Sequence, residues 1–211
     1  MCGGVLLSTI AGLFHPDRQP ANDHIKSFAE YSSSAHWTLI HLGQFAGVLV
    51  MVTGLVMLFL ALSPQSRPWN GQVGVVLSVV ALTLYGVLQA VDGVALKQAV
   101  DAWMRVPDAE KATRLASAEV IRWTEWGVRS YYSFMLGVSF ALFGSMLART
   151  PGVPRPIGYL MGLSGVAYII QGWVLGSEGF SAAFTLPAVV AVVLAVVWSG
   201  WLLITAWRKV A

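Results

Sequence analysis

The stretch Ala118–Ala148, AEVIRWTEWGVRSYYSFMLGVSFALFGSMLA, decides how the chain is read. From Trp126 onward its only charge is Arg129, and the run exceeds the ~20 helical residues that cross about 30 Å of hydrocarbon. Its head is different. Glu119, Arg122, Glu125 and Arg129 fall at the start of this span, where insertion scales charge at least ~2.5 kcal/mol per ionised residue. Four such groups must neutralise one another or serve a purpose. Steps of three, three and four residues keep them on roughly a third of a helix circumference, so each acid has a base within reach.

Composition agrees with a membrane reading. Hydrophobic residues make up 56% of the 211, charged residues only 11%, and mean hydropathy is +0.68; soluble domains carry about 25% charge. The net charge of +3 forms no basic patch, because acids are interleaved with the bases, so no nucleic-acid partner is expected. A lone cysteine, Cys2, excludes an internal disulfide and a multi-thiolate metal site.

Read as a single domain over residues 1–211, the chain is an all-α, polytopic transmembrane bundle of about six helices, with spans near 2–14, 39–62, 73–91, 126–148, 157–175 and 182–207. The first run, Cys2 to Phe14, is too short for a full crossing and is read as a partial helix. The third loop is patterned. Val100, Trp103 and Met104 make an apolar i, i+3, i+4 face, Asp101 and Arg105 are spaced to pair, Pro107 breaks the segment, and Asp108 is placed to cap the next one. Two amphipathic helices are expected there, lying on the membrane interface or forming a solvated hairpin.

The connections have sides. Arg67, Arg149, Arg155, Arg208 and Lys209 fall on even-numbered loops and the carboxyl end, which contain no acid, whereas Asp17, Asp23, Glu30, Asp101, Asp108, Glu110 and Glu178 fall on the odd loops. The positive-inside rule counts Lys and Arg rather than net charge, and the odd loops hold Lys97, Arg105, Lys111 and Arg114 too; the short acid-free turns lead us to expect that side, and both termini, in the cytoplasm. Small residues mark packing seams: Gly137, Ala141, Gly144 and Ala148 on the fourth span, Gly158, Gly162, Gly165 and Gly172 on the fifth, Gly43 and Gly47 on the second. Trp198, Trp201 and Trp207 read as an interfacial belt.

Strongly polar residues within or beside spans all fall toward the odd-loop side. The site expected there has Asp92 and Glu125 as candidate catalytic acid or base, and His41, Gln44, Gln89, Glu119, Arg122, Arg129, Tyr132, Tyr168 and Gln171 as candidate ligand-binding residues. Asp92 has no base nearby in sequence and needs a partner on another helix: Arg129, Arg122 or His41. His36 and His41 are candidate metal ligands, although five residues place them about 140° apart on a helix. His15 ends the first helix on the same side.

Several functions fit such a cluster. The leading one is binding, with or without conversion, of a small hydrophobic or amphiphilic molecule that enters from the outer face or from membrane lipid. A second is a structural subunit, docking through its glycine seams and third loop onto a further copy or a larger membrane complex. A third is a haem or metal protein; no motif specifies a cofactor. Transport fits poorly, since the opposite half holds almost no polar residue to line a path.

The combination of HPD at His15–Asp17, DG at Asp92–Gly93, RWTEWGVRS opening the fourth span, GVPRPIGY before the fifth and QGWVLGSEGF after it resembles uncharacterised six-helix bacterial membrane proteins of a domain-of-unknown-function family. The resemblance spans most of the chain and implies a bacterial inner-membrane location. It implies no reaction.

Overall fold

The computed structural model describes residues 1–62 and 68–208, so Arg67 and Lys209 of the basic side lie outside the described residues. Among these residues the chain is all helical: α1 (Cys2–Leu13), α2 (His24–Ser33), α3 (Trp37–Ala61), α4 (Trp69–Ala90), a π-helical segment (Val91–Leu96), α5 (Lys97–Arg105), α6 (Asp108–Leu147), α7 (Arg155–Glu178) and α8 (Ala182–Trp207). Five continuous helices are long and apolar enough to cross a membrane: α3, α4 running on through the π segment to Arg105, α6, α7 and α8. This is a multi-pass membrane protein. The short α1 packs antiparallel on α3, with Met1 beside Gly54, and so covers only part of its length.

Helix α6 has 40 residues, a rise of about 60 Å, twice the hydrocarbon thickness. Apolarity marked its membrane part but not its start. After Pro107, the segment DAEKATRLASAEV is built largely from good helix formers and contains no breaker, so the helix runs unbroken into the span. The charged ladder is therefore mid-helix rather than at a helix start. Asp108 is the first helical residue, not the cap, and with Glu110 it places negative charge at the positive end of the helix.

The third loop is a hairpin of α5 against the first turns of α6, not a pair of helices lying flat. Val100 and Trp103 bury their apolar face against Phe28 and Tyr31 of α2, together with Leu96 and Ala118; Met104 stays 41% exposed. Asp101 pairs with Lys97 at 2.8 Å rather than with Arg105. The same ammonium donates to the carbonyls of Tyr31 and Ser32 at 3.1 and 2.8 Å. One lysine thus ties α2 onto the hairpin, and α2 becomes a lid of protein over that end of the bundle.

Close backbone contact explains the glycine seams. A Cβ at Gly137 would lie 2.6 Å from the Gly165 carbonyl oxygen, and one at Gly144 would lie 2.5 Å from that of Gly158, so α6 and α7 touch backbone to backbone. Gly47 meets Gly4 and Ser8 of α1 in the same way. Gly162 differs: a Cβ there meets nothing within 4 Å. Interhelical bonds reinforce the bundle, including Ser139 Oγ to the Gly74 carbonyl at 2.9 Å and Ser164 Oγ to that of Ala191 at 2.9 Å. Trp198 is not part of an interfacial belt. It is fully buried with its ring edge-on to Phe140 at 5.3 Å, while Trp201 and Trp207 are exposed.

Candidate functional site

The site begins with a departure from regular helix. At Val91–Leu96 the α4 helix widens into a π turn, which turns Asp92 and Gly93 inward and gives the Asp92 carbonyl an extra donor, the Trp37 indole N–H at 3.2 Å. Gly93 is needed for α3 to come near, since a Cβ there would sit 2.9 Å from His41 Cβ. The result brings Asp92 Oδ2 to 3.2 Å from His41 Nε2. Of the three partners open to Asp92, His41 is the one in contact.

Hydrogen bonding fixes the proton content of this pair. His41 Nδ1 lies 2.8 Å from the Trp37 carbonyl oxygen, which can only accept, so Nδ1 carries hydrogen. Nε2 then faces a carboxylate oxygen. One proton lies between them, since two bare acceptors would repel. Asp92 is 5% exposed, and its second oxygen, Oδ1, has no hydrogen-bond partner among the described residues.

His15, just beyond α1, completes this corner. Its ring packs 4.9 Å from Trp37 and 5.3 Å from His41, centroid to centroid, and its Nδ1 lies 2.7 Å from Asp17 Oδ1. Partial burial raises the Asp17 carboxyl, but the hydrogen bond and charge of His15 outweigh it and hold the group below the usual carboxylate range. Asp17 is therefore the acceptor and His15 Nδ1 the donor.

Next to this corner stands the charged ladder. Arg122 Nη1 donates to Glu125 Oε2 at 2.6 Å, and Nη2 donates to the Tyr31 hydroxyl at 3.0 Å. Burial pushes Tyr31 up to about 12, with the nearby Arg122 charge working against the rise, so the phenol stays neutral and free to accept. Glu125 is 0% exposed. Arg129 reaches it only at 3.8 Å. Both guanidinium groups lie over the Phe180 ring, at 4.9 and 5.2 Å from its centroid.

Gly179 and Asn22 position Phe180. Gly179 has φ 67° and ψ −149°, a conformation that is essentially glycine's alone, and a Cβ there would lie 2.6 Å from the Trp126 ring. Asn22 clamps the turn from the other side: its Nδ2 donates to the Glu178 carbonyl at 3.1 Å, and its Oδ1 accepts from the Phe180 N–H at 2.9 Å. Gly179→Ala is expected to cost about 1–3 kcal/mol in backbone strain alone. A thermal melt in detergent checks this, and an unchanged melting temperature would contradict the turn described.

Two adjoining cavities open among these groups. The outer one, about 330 Å³, is polar and bordered by His15, Asp17, Asp92, Arg122, Arg129 and the first turn of α8. The deeper one, about 260 Å³, is bordered by Tyr85, Tyr132, Tyr168 and Gln171 with apolar residues of α1, α3 and α8. Gln44 and Arg129 border both.

Most of the expected residues thus meet. Gln44, Asp92, Arg122, Arg129, Tyr132, Tyr168 and Gln171 line the two cavities. His41 touches the site through Asp92, while its outer side, with Gln89, borders a separate groove between α3 and α4. Glu125 is sealed behind the arginines and lines neither cavity. Glu119 turns away to His24, 3.0 Å distant on α2. His36 is exposed at the start of α3, and His15 takes its place beside His41. Asn22, His24, Tyr31 and Phe180 belong to the site region without having been singled out in the sequence. They sit on connections or on α2, and only the fold brings them near.

The model of a family described as a domain of unknown function (DUF4386) matches residues 3–206. No curated protein and no solved structure matches the chain.

Proposed function

The chain belongs to the DUF4386 family, and on that premise we propose that it binds a small amphiphile with an anionic or carbonyl head at the polar end of its bundle. The observation that carries this reading is the position of Arg129. It borders both the polar outer cavity and the largely apolar inner one, and its contact with Glu125 is loose at 3.8 Å. A head group beside Arg129 would place its chain among Val48, Met51 and Ala195. The start of α8 supports the same choice. Phe184 and Thr185 of its first turn border the outer cavity, and the partial positive charge at a helix start favours an anion.

The finer location follows from charge. Arg149, Arg155 and Arg208 lie at the opposite end of the bundle, with no acid among the described residues there. Positive-inside reasoning counts Lys and Arg, and Lys97, Arg105, Lys111 and Arg114 lie on the cavity side; the short acid-free turn between Arg149 and Arg155 is what leads us to place that end and the chain termini in the cytoplasm of a bacterial inner membrane, with the cavity open to the outer face. Any conversion of the bound molecule would fall to Asp92, which reaches the cavity, rather than to the sealed Glu125.

The test is a thermal melt in detergent with dodecanoic acid and, separately, dodecanol. The acid is expected to raise the melting temperature more than the alcohol. Arg129→Gln should weaken the acid's binding about tenfold, the ~1.4 kcal/mol that a lost charge-assisted hydrogen bond supplies at its lower end. Equal shifts for acid and alcohol, or an unchanged response in the variant, would contradict the reading.

A further inference from the structure

The geometry points to a divalent transition-metal site formed by His15, His41 and Asp92. Each offers one ligand atom, and the three atoms lie within 4.8 Å of one another. The edge of a tetrahedron built on ~2.1 Å bonds is about 3.4 Å. His41 Nε2 and Asp92 Oδ2 already stand 3.2 Å apart, so only His15 must draw in by a short step, and it sits on a connection rather than in a helix.

Three independent features favour a ligand here over a closed hydrogen-bonded pair. First, both histidines direct Nδ1 to an acceptor, His41 to the Trp37 carbonyl and His15 to Asp17. Such outer partners orient a metal-binding imidazole and leave the Nε2 lone pair for the ion. Second, Asp92 Oδ1 is buried and has no hydrogen-bond partner among the described residues, so the carboxylate carries charge that the single His41 contact leaves uncompensated. Third, His15 and Asp92 both border the outer cavity, so a fourth position would open into it. Two imidazoles and one carboxylate with an open position suit Zn²⁺ or Fe²⁺, and no thiolate is at hand to favour a softer ion. The cation would take the place of the proton between His41 and Asp92. The site stands whether or not the cavity takes an amphiphile.

The test uses tag-free full-length protein in detergent, stripped with a chelator and titrated with Co²⁺ and with Zn²⁺. Expected are visible Co²⁺ absorption bands that saturate at one equivalent, their displacement by Zn²⁺, and a melting temperature raised by Zn²⁺. His15→Gln and Asp92→Asn should abolish the bands. Asp92→Asn is a suitable fold-retaining variant, because the new amide can donate to a neutral His41 Nε2. Asp17→Asn should lower affinity by about 10–100-fold, as loss of an outer partner does, and His36→Ala should change nothing. Absence of stoichiometric bands in the unaltered protein would overturn the proposal, as would bands that persist in both His15→Gln and Asp92→Asn.

Discussion

Glu125→Gln is expected to lower stability by about 3–5 kcal/mol, the usual cost of removing one partner of a buried ion pair. The glutamine preserves shape and can still accept a hydrogen bond, so the loss comes from charge. Arg122 is 2% exposed and holds one strong acceptor, Glu125 Oε2 at 2.6 Å; its other hydrogen bond, to the Tyr31 hydroxyl, and its ring contacts are to neutral groups. Without the carboxylate, an almost wholly buried guanidinium stays charged with only neutral hydrogen-bond partners. The double variant Glu125→Leu with Arg122→Met should recover much of that loss, because neither charge then needs solvating. Melts in detergent of both variants check the argument. A mild effect of Glu125→Gln, with no recovery in the double variant, would mean that the pair is not closed to solvent.

Gly165→Leu should disrupt the α6–α7 interface, at or above the upper end of the ~1–3 kcal/mol usual for overpacking. Even a Cβ at this position clashes with the Gly137 carbonyl oxygen and lies 2.8 Å from the Ala141 nitrogen. Backbone cannot move aside as a flexible side chain can, and three more carbons follow. Gly162→Ala is the control, because its Cβ meets nothing within 4 Å. The expectation is loss of monodisperse protein for Gly165→Leu and normal yield for Gly162→Ala, read by size-exclusion chromatography. Equal behaviour of the two would refute the described seam.

That pair of glycines shows what a sequence conveys and what it leaves out. Both lie in one stripe, so spacing alone treats them alike, yet only packing says which member faces a backbone. Membrane spans were legible because hydrocarbon forces long apolar runs on the chain. Their ends were not, since α6 continues through polar residues that are simply good helix formers. Trp198 illustrates a similar gap: tryptophan suits an interface or a core, and here the edge of Phe140 decides for the core.

The site divides in the same manner. Depth along each span gathered the polar residues at one end, and Asp92 could be marked as needing a partner from another helix. Which partner it takes depends on the π turn and on Gly93, and neither has a local signature strong enough to choose among three bases. Glu119 was grouped with Arg122 by spacing, but His24 on α2 captures it. Helix α2 was missed because it is short and mostly polar on its outer side. Its contribution is Phe28 and Tyr31, which are buried, and nothing in their spacing announces what they cover.

Photolabelling distinguishes a cavity that holds a chain-bearing anion between Arg129 and the tyrosines from one that does not. A fatty acid carrying a diazirine near the end of its chain would be irradiated with the protein in detergent, and the modified peptides located by mass spectrometry. Labelling is expected at residues that border the inner cavity, such as Met51, Tyr168 and Val192, and should be lost in Arg129→Gln. Labelling confined to outward-facing residues such as Leu163 and Trp173, and unchanged in the variant, would contradict such binding.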